Sequence, residues 1–497
     1  MSGNKNLAQN QPANACDFIL FGTKGDLART KILPSLYRLE QAGLLHPNTM
    51  IVGVGRADWG ADAYKIFVKQ ALEEVLKEHF SSHVWASLAK RLDFLSGDVY
   101  DTHTFTALKK KIHGTKRIPI SYFAMPPDTF GAVCEGLKHA AMNEHPARVV
   151  IEKPIGTSLD TFREISATLN QYFEEDQIYR IDHYLGKETV LNLLALRFAN
   201  ALFVNNWDNR SIEHVEITVA EETGIKGRWN YFNKTGQLRD MVQSHLLQIL
   251  AIIAMSPPGN LDSVSIRAEK LKVLRALRPI DRFNVSEKVV RGQYTKGIIG
   301  EDSVAGYVDE KGADNSSQTE TFVSVRVDID NWRWSGVPFY LRTGKRMPVK
   351  ASEIIIYFKK PALNIFRKSQ ENAPQNRLRI RLQPDEGMDL EILNKTPGLN
   401  HKHHLQSTKL DLSFRQSFNE GDIVDAYDRL LLECMRGIQA LFLSRDEIEA
   451  AWEWVDTIQD AWTTNNEPLR PYQAGTWGPI ASVGNISRDG YEWSEYL

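Results

Sequence analysis

Over the first third of the chain, short apolar runs that stop at glycine alternate with stretches whose apolar residues recur every three or four positions. Asp17-Phe18-Ile19-Leu20-Phe21 is such a run and stops at Gly22, as a parallel strand buried on both faces does. Met50-Ile51-Val52-Gly53-Val54 repeats the pattern before Gly55-Arg56. Residues 118–124 and 147–151 predict two more strands. A helical pattern near Ile32, Leu36 and Leu39 follows the first strand. Residues 61–90 read as two helices, 104–113 as another, and 128–142 as one between the third and fourth strands.

The rhythm changes after about residue 180. Residues 212–219 alternate like a half-buried strand, and 238–254 predict a strongly apolar helix that stops at Ser256-Pro257-Pro258. Strand-like runs cover 322–329, 354–358 and 377–382. Residues 426–443 and 445–457 predict two long closing helices. The expected architecture is an α/β Rossmann-type N-terminal domain followed by an α+β C-terminal domain with a large, mainly antiparallel sheet. The expected division is a loose polar tail over 1–16, a dinucleotide-binding domain over 17–180, and a substrate and oligomerisation domain over 181–497.

A length of 497 residues suits such a division. With 60 basic and 62 acidic residues the net charge is −2, so no global field favours nucleic acid or a membrane surface. The first fifteen residues are polar and lack an apolar signal core, and no apolar run is long enough to span a bilayer. Three widely spaced cysteines, Cys16, Cys134 and Cys434, fit neither a disulfide framework nor a zinc knuckle. A cytoplasmic protein is the expectation.

Candidate chemistry begins at Gly22-Thr23-Lys24-Gly25-Asp26-Leu27-Ala28, between the first strand and its helix. A glycine turn there lets backbone N–H groups approach a pyrophosphate at a helix N-terminus. Its spacing departs from G-x-G-x-x-G, and an ordinary loop explains it equally well. Arg56 changes the balance. It stands just past the second strand, where an acidic residue would hold the ribose hydroxyl of NAD, and a guanidinium suits the 2′-phosphate of NADP. Lys153, in Glu152-Lys153-Pro154, ends another strand where substrate would meet nicotinamide.

The densest cluster is Arg180-Ile181-Asp182-His183-Tyr184-Leu185-Gly186-Lys187-Glu188, where the first pattern gives way to the second. His183, Tyr184 and Lys187 offer donors for a phosphate near the start of a helix. A solvated helix cap is the plainer reading. This segment, with GTKGDLARTKILPSL before it and QLRDMVQSHLLQ, VPFYLRTGKRM, IRLQPDEG and DAYDRLL after it, resembles the glucose-6-phosphate dehydrogenase family of bacterial type. The resemblance runs from about residue 17 to 470.

The resemblance implies oxidation of glucose 6-phosphate at C1 to the lactone, with hydride passing to NADP, at the head of the oxidative pentose phosphate pathway. It implies His245 as general base and Asp182 as the carboxylate that orients it. His183, Tyr184 and Lys187 would hold the sugar phosphate. Glu221, Asp240, Lys153, Lys345, Lys350 and Gln383 would surround the sugar. Gly22, Thr23, Lys24, Gly25, Asp26, Leu27, Arg56 and Lys153 would face the cofactor. No metal is required. A homodimer or homotetramer is implied, with no nucleic-acid or membrane partner.

Local pattern alone leaves some points open. Asp240 and His245 are five apart, poor spacing for one face of an α-helix, and local sequence alone favours His245 as a core histidine. The acidic Asp389-Leu390-Glu391 argues against the second, structural NADP found in some relatives. His401-Lys402-His403-His404 reads as a polar loop rather than a metal tract. Trp332 and Trp334 read as packing at a strand edge, and Cys134 as helix core. Two other functions remain: a dehydrogenase of a different sugar, and a non-catalytic NADP-binding regulator.

Overall fold

The computed structural model describes residues 12–112, 116–366, 374–398, 404–413 and 424–494. The chain forms two compact units. The first comprises Met1–Gly186, Gly259–Arg267 and Val424–Glu449. The second comprises Lys187–Pro258, Ala268–Ile423 and Ala450–Leu497.

The first unit holds a parallel sheet of strands β1 (Cys16–Phe21), β2 (Met50–Gly55), β3 (Leu92–Ser96), β4 (Ile118–Phe123), β5 (Arg148–Ile151) and β6 (Ile178–Arg180). Their order is β3-β2-β1-β4-β5-β6, a doubly wound sheet whose direction of winding reverses between β1 and β4. Every residue of β1 is buried, which accounts for its unbroken apolar run. The core joins Phe18, Leu20, Ile51, Ile120, Tyr122 and Val150 of the sheet to Leu430, Leu431 and Met435 of the helix Ala426–Arg436.

That helix is shorter than the 426–443 expected. It ends at Gly437, whose φ of 84° is left-handed, and Arg148 donates to the last carbonyls, Cys434 O at 2.5 Å and Met435 O at 3.0 Å. Strand β3, which alternates buried and half-buried positions at the sheet edge, has no counterpart in the sequence expectation.

The second unit is built on a nine-stranded mixed sheet. Its strands are β7 (Ile212–Ala220), β8 (Val289–Thr295), β11 (Phe322–Val327), β12 (Phe339–Gly344), β13 (Ala351–Phe358), β14 (Arg377–Gln383), β15 (Gly387–Lys395), β16 (Leu405–Ser413) and β17 (Arg470–Gln473). A small hairpin, β9 (Gly297–Ile299) and β10 (Asp302–Val304), stands apart from it. The order is β16-β15-β14-β13-β7-β12-β11-β8-β17. The pairs β7–β12 and β8–β17 are parallel and the remaining pairs antiparallel.

Charged side chains on the strands beside β7 find partners. Arg379 meets Glu353 at 2.7 Å, and the Arg342 guanidinium lies 4.2 Å from the Trp493 ring centroid. Trp332 and Trp334 lie in a turn rather than a strand. Trp334 is buried, with Nε1 donating to Ala254 O at 2.7 Å, whereas Trp332 is 99% exposed.

Candidate active site

In the first unit the turn after β1 sits at the winding reversal. Gly22 has a φ of 78°, and a Cβ there would overlap the carbonyl of Ala124, just beyond β4. Only glycine allows that close passage. Gly25 N–H donates to Gly22 O at 2.9 Å, and Arg29 N–H to Gly25 O at 3.1 Å, which starts the helix. Asp26 lies exposed and Leu27 half-buried along this start. The β1–β2 register pairs Phe21 with Val54, so the turn leaves the sheet beside Gly55 and the exposed Arg56. Thr23 is buried with its hydroxyl 2.7 Å from that of Tyr64. Lys24 is exposed, its Nζ 4.7 Å from the Trp59 ring centroid. The structure therefore gathers Gly22 to Leu27 and Arg56 at the carboxyl ends of β1 and β2, where the helix start can receive a phosphate.

Strands β5 and β6 pair Ile151 with Arg180, so Glu152-Lys153 and Ile181-Asp182 leave the sheet side by side. Asp182 is 1% exposed and accepts the Tyr184 N–H at 2.9 Å. The His183 ring lies parallel to that of Tyr427, centroids 6.3 Å apart and 10° between planes. Gly186 is required by contact, because a Cβ there would come 2.6 Å from Ala426 O, at the start of the helix that carries Tyr427.

Behind Lys153 lies a group that no sequence motif marks. The Tyr122 hydroxyl donates to the Glu152 carboxylate, and Tyr427 bonds to the same group. Burial pushes the Glu152 carboxyl up to about 7, against the opposing pull of the two phenols and Lys153 and with a smaller upward push from Asp182. A carboxyl raised in the folded state favours its protonated form. Its contribution is complete below about 4.5 and is lost as pH rises through about 7. The loss amounts to roughly 3 kcal/mol. Glu152→Gln, which cannot ionise, is expected to flatten the fall of thermal stability between about pH 5 and about pH 7.5. Parallel melting-temperature profiles for the two proteins would show that Glu152 does not carry this dependence.

In the second unit, Glu221 and Lys345 follow the paired ends of the parallel strands β7 and β12, where Ala220 faces Gly344. Lys345 is 2% exposed, donates to Glu221 Oε2 at 2.5 Å, and lies 3.9 Å from Asp240 Oδ2. The Tyr472 hydroxyl donates to Lys345 O at 2.6 Å and fixes the backbone beneath it. Lys350, exposed, precedes β13, whose Ala351 also faces Ala220. Gln383 ends β14 opposite Ser352. Four of the expected sugar-site residues thus stand on one edge of four adjacent strands. Lys187, buried, stands at the residue just before the helix Glu188–Ala199. The amine and carboxylates together can donate to and accept from several hydroxyl groups.

The helix expected over 238–254 has two windings. Leu238–Leu246 is π-helical and Leu247–Ala254 is α-helical. A π-helix bonds residue i to residue i+5, so Asp240 and His245, poorly matched on an α-helix, stand one turn apart. His245 is 1% exposed. The Leu238 N–H is capped by Glu320 Oε1 at 3.0 Å, and Gln237 Nε2 donates to Thr343 Oγ1 at 2.8 Å on β12. Glu320 is buried and its carboxyl is raised by that burial. A φ of 70° at Gly236 lets the chain turn against it.

Outside these groups, Asp389 and Glu391 are less acidic in surroundings than in sequence. Asp389 pairs with Arg381 and with Lys409, and Glu391 with Arg377 at 2.8 Å. His401 to His403 lie outside the described residues, and the N-terminal tail is described only from residue 12. The three thiols are free and buried, Cys134 within its helix as expected. Burial pushes those of Cys16 and Cys134 up to about 12, as suits packing rather than nucleophilic chemistry. Among the described residues no helix is long and apolar enough to cross a membrane.

Two family models match in succession: glucose-6-phosphate dehydrogenase, NAD binding domain, over residues 19–192, and glucose-6-phosphate dehydrogenase, C-terminal domain, over 194–494. The chain is 62% identical to a glucose-6-phosphate 1-dehydrogenase of Dickeya dadantii, an alignment covering 98% of this chain and 100% of that one. It is 50% identical to that of Buchnera aphidicola subsp. Schizaphis graminum, over 97% and 98% of the two chains. Among solved structures, that of Mycobacterium avium glucose-6-phosphate 1-dehydrogenase superposes with a TM-score of 0.86 at 34% identity, covering 98% of this chain and 99% of that one. A glucose-6-phosphate dehydrogenase in complex with its substrate glucose 6-phosphate gives 0.88 at 31%, with the same coverage.

Proposed function

The chain belongs to the glucose-6-phosphate dehydrogenase family, and from that premise we propose that it oxidises the C1 hydroxyl of glucose 6-phosphate, with His245 taking the proton. NADP, when bound, accepts the hydride. Residues 17–180 serve the cofactor and 181–497 the sugar. The oxidation opens the oxidative pentose phosphate pathway. The turn at Gly22 suits that cofactor. A Cβ-free backbone and a helix start lie beside the guanidinium of Arg56, a donor set for phosphate.

The observation that carries the sugar reading is the buried Lys345 between Glu221 and Asp240 at the carboxyl ends of the central strands β7 and β12. Such a set holds a polyol in one orientation and so fixes which carbon faces the cofactor. His245 acts as general base near neutrality, and Asp182 stabilises the imidazolium that forms. His183, Tyr184 and Lys187 bind the phosphate, whose remote binding energy aligns C1. Lys153, Lys350 and Gln383 complete the sugar site. The free thiols fit a reducing cytoplasm, and the family resemblance favours a homodimer or homotetramer.

The test is the NADPH absorbance produced from NADP with glucose 6-phosphate and, separately, with glucose. Turnover on the phosphate alone is expected. Equal turnover on both would remove the phosphate from the reading, and NADP binding without turnover on either would replace an enzyme with a regulator. Lys24 adds a cation to the cofactor turn, so Lys24→Ala is expected to lower the ratio of kcat/KM for NADP to that for NAD by roughly 3- to 10-fold. An unchanged ratio would remove Lys24 from cofactor choice.

A further inference from the structure

Lys24 is an exposed, flexible amine, and a cation on a four-carbon stem meets an anion well only if something holds it in place. Trp59, three residues past Arg56, has its indole ring under that ammonium, with Nζ 4.7 Å from the centroid. Indole is the most favourable aromatic face for a cation. The ring is not free to follow the lysine. It packs against Phe67 with centroids 5.0 Å apart and Phe94 at 5.6 Å. Phe94 in turn packs on Tyr64 at 5.2 Å. Tyr64 rests on β2 where Gly53 leaves it room, since a Cβ there would come 2.6 Å from the phenol ring. The same Tyr64 holds the Thr23 hydroxyl at 2.7 Å. Both non-glycine residues inside the turn are thus held by side chains of one aromatic cluster anchored on the sheet.

We propose that Trp59 is a positioning residue for cofactor choice. Its indole face holds the Lys24 ammonium at the cofactor turn, so that the extra phosphate of NADP meets a cation already in place. This rests on the reading of Gly22–Leu27 and Arg56 as the NADP site. A Trp59 that served only to cover Phe67 and Phe94 would affect folding and both cofactors alike. Acting through Lys24, it affects NADP and spares NAD.

The experiment measures kcat/KM for NADP and for NAD in the wild type, Trp59→Leu, Trp59→Phe, Lys24→Ala and the double variant Trp59→Leu with Lys24→Ala. Trp59→Leu is expected to lower the NADP/NAD ratio by roughly 3- to 10-fold, through KM for NADP. Trp59→Phe, which keeps an aromatic face and the packing, is expected to retain part of the preference, and it carries the test if the leucine variant does not fold. In the Lys24→Ala background Trp59→Leu should lower the ratio no further. Equal losses for both cofactors, or the same loss with and without Lys24, would overturn the proposal. So would full preference in both Trp59 variants while Lys24→Ala loses it, which leaves the NADP reading intact. An unchanged ratio in Lys24→Ala would overturn the Lys24 reading and the Trp59 proposal together. Failure to bind NADP at all would overturn the cofactor site.

Discussion

His245→Asn is expected to fold, to bind both substrates, and to turn over about 10²- to 10⁴-fold more slowly than the wild type. The asparagine amide keeps a polar group in the buried site but cannot take up a proton near neutral pH. The loss should fall on kcat, with KM for glucose 6-phosphate and for NADP little changed, because the base acts in the transition state rather than in binding. The wild type should also show an acid limb in its pH–rate profile that the variant lacks. Far-UV circular dichroism and the two KM values separate this outcome from misfolding. A variant with kcat within about 3-fold of wild type would exclude His245 as the base.

Gly236→Ala is expected to cost about 2–6 kcal/mol and most of the activity with it. At φ 70° and ψ 170° the residue occupies a region open essentially to glycine alone, so alanine is strained by roughly 1–3 kcal/mol before any contact is counted. The added methyl would also lie 2.8 Å from Glu320 Cδ and overlap the carboxylate oxygens. That carboxylate caps the Leu238 N–H at the head of the π-wound segment carrying Asp240 and His245. Moving it leaves a buried donor unsatisfied at a cost of about 1–3 kcal/mol and turns the helix that presents the base. Denaturant unfolding and steady-state kinetics measure the two effects. Combined with Glu320→Ala, which removes the overlap, the glycine substitution should cost less than it does alone. Additive costs would show that the contact is incidental.

The dinucleotide sheet is legible in the sequence because β1, β2, β4 and β5 are buried on both faces, which writes each as an unbroken apolar run. β3 escaped because an edge strand with half-buried positions carries no such run. The long helix expected over 426–443 was overextended despite a stop signal: Gly437 follows Arg436 and takes the left-handed conformation of a C-cap. The alternation of Trp332 and Trp334 resembled a strand, but a turn also sends one ring inward and the next to solvent. At the candidate site, residues clustered in sequence are marked by their motif. Glu152, Tyr122 and Tyr427 were not, because three distant segments meet only once the first unit has folded. Nor can helical pitch be read from residue types. The five-residue interval between Asp240 and His245 looked unfavourable until the segment proved π-wound.

The centre of the nine-stranded sheet joins strands far apart along the chain. Glu221 and Lys345 follow β7 and β12, with β8 to β11 made between them, and β8 finds its outer neighbour β17 only at Arg470–Gln473. The first unit likewise draws Tyr427 from a helix encoded late. During synthesis on the ribosome, a chain that has emerged to residue 300 holds strands β7 and β8 with no partners for their edges. Closure of such long loops comes late, and unpaired edges invite pairing with other chains. A nascent chain of this kind is therefore a natural client for chaperones that shield strand edges. A frameshift removing the last thirty or so residues would yield an insoluble product rather than a weakened enzyme.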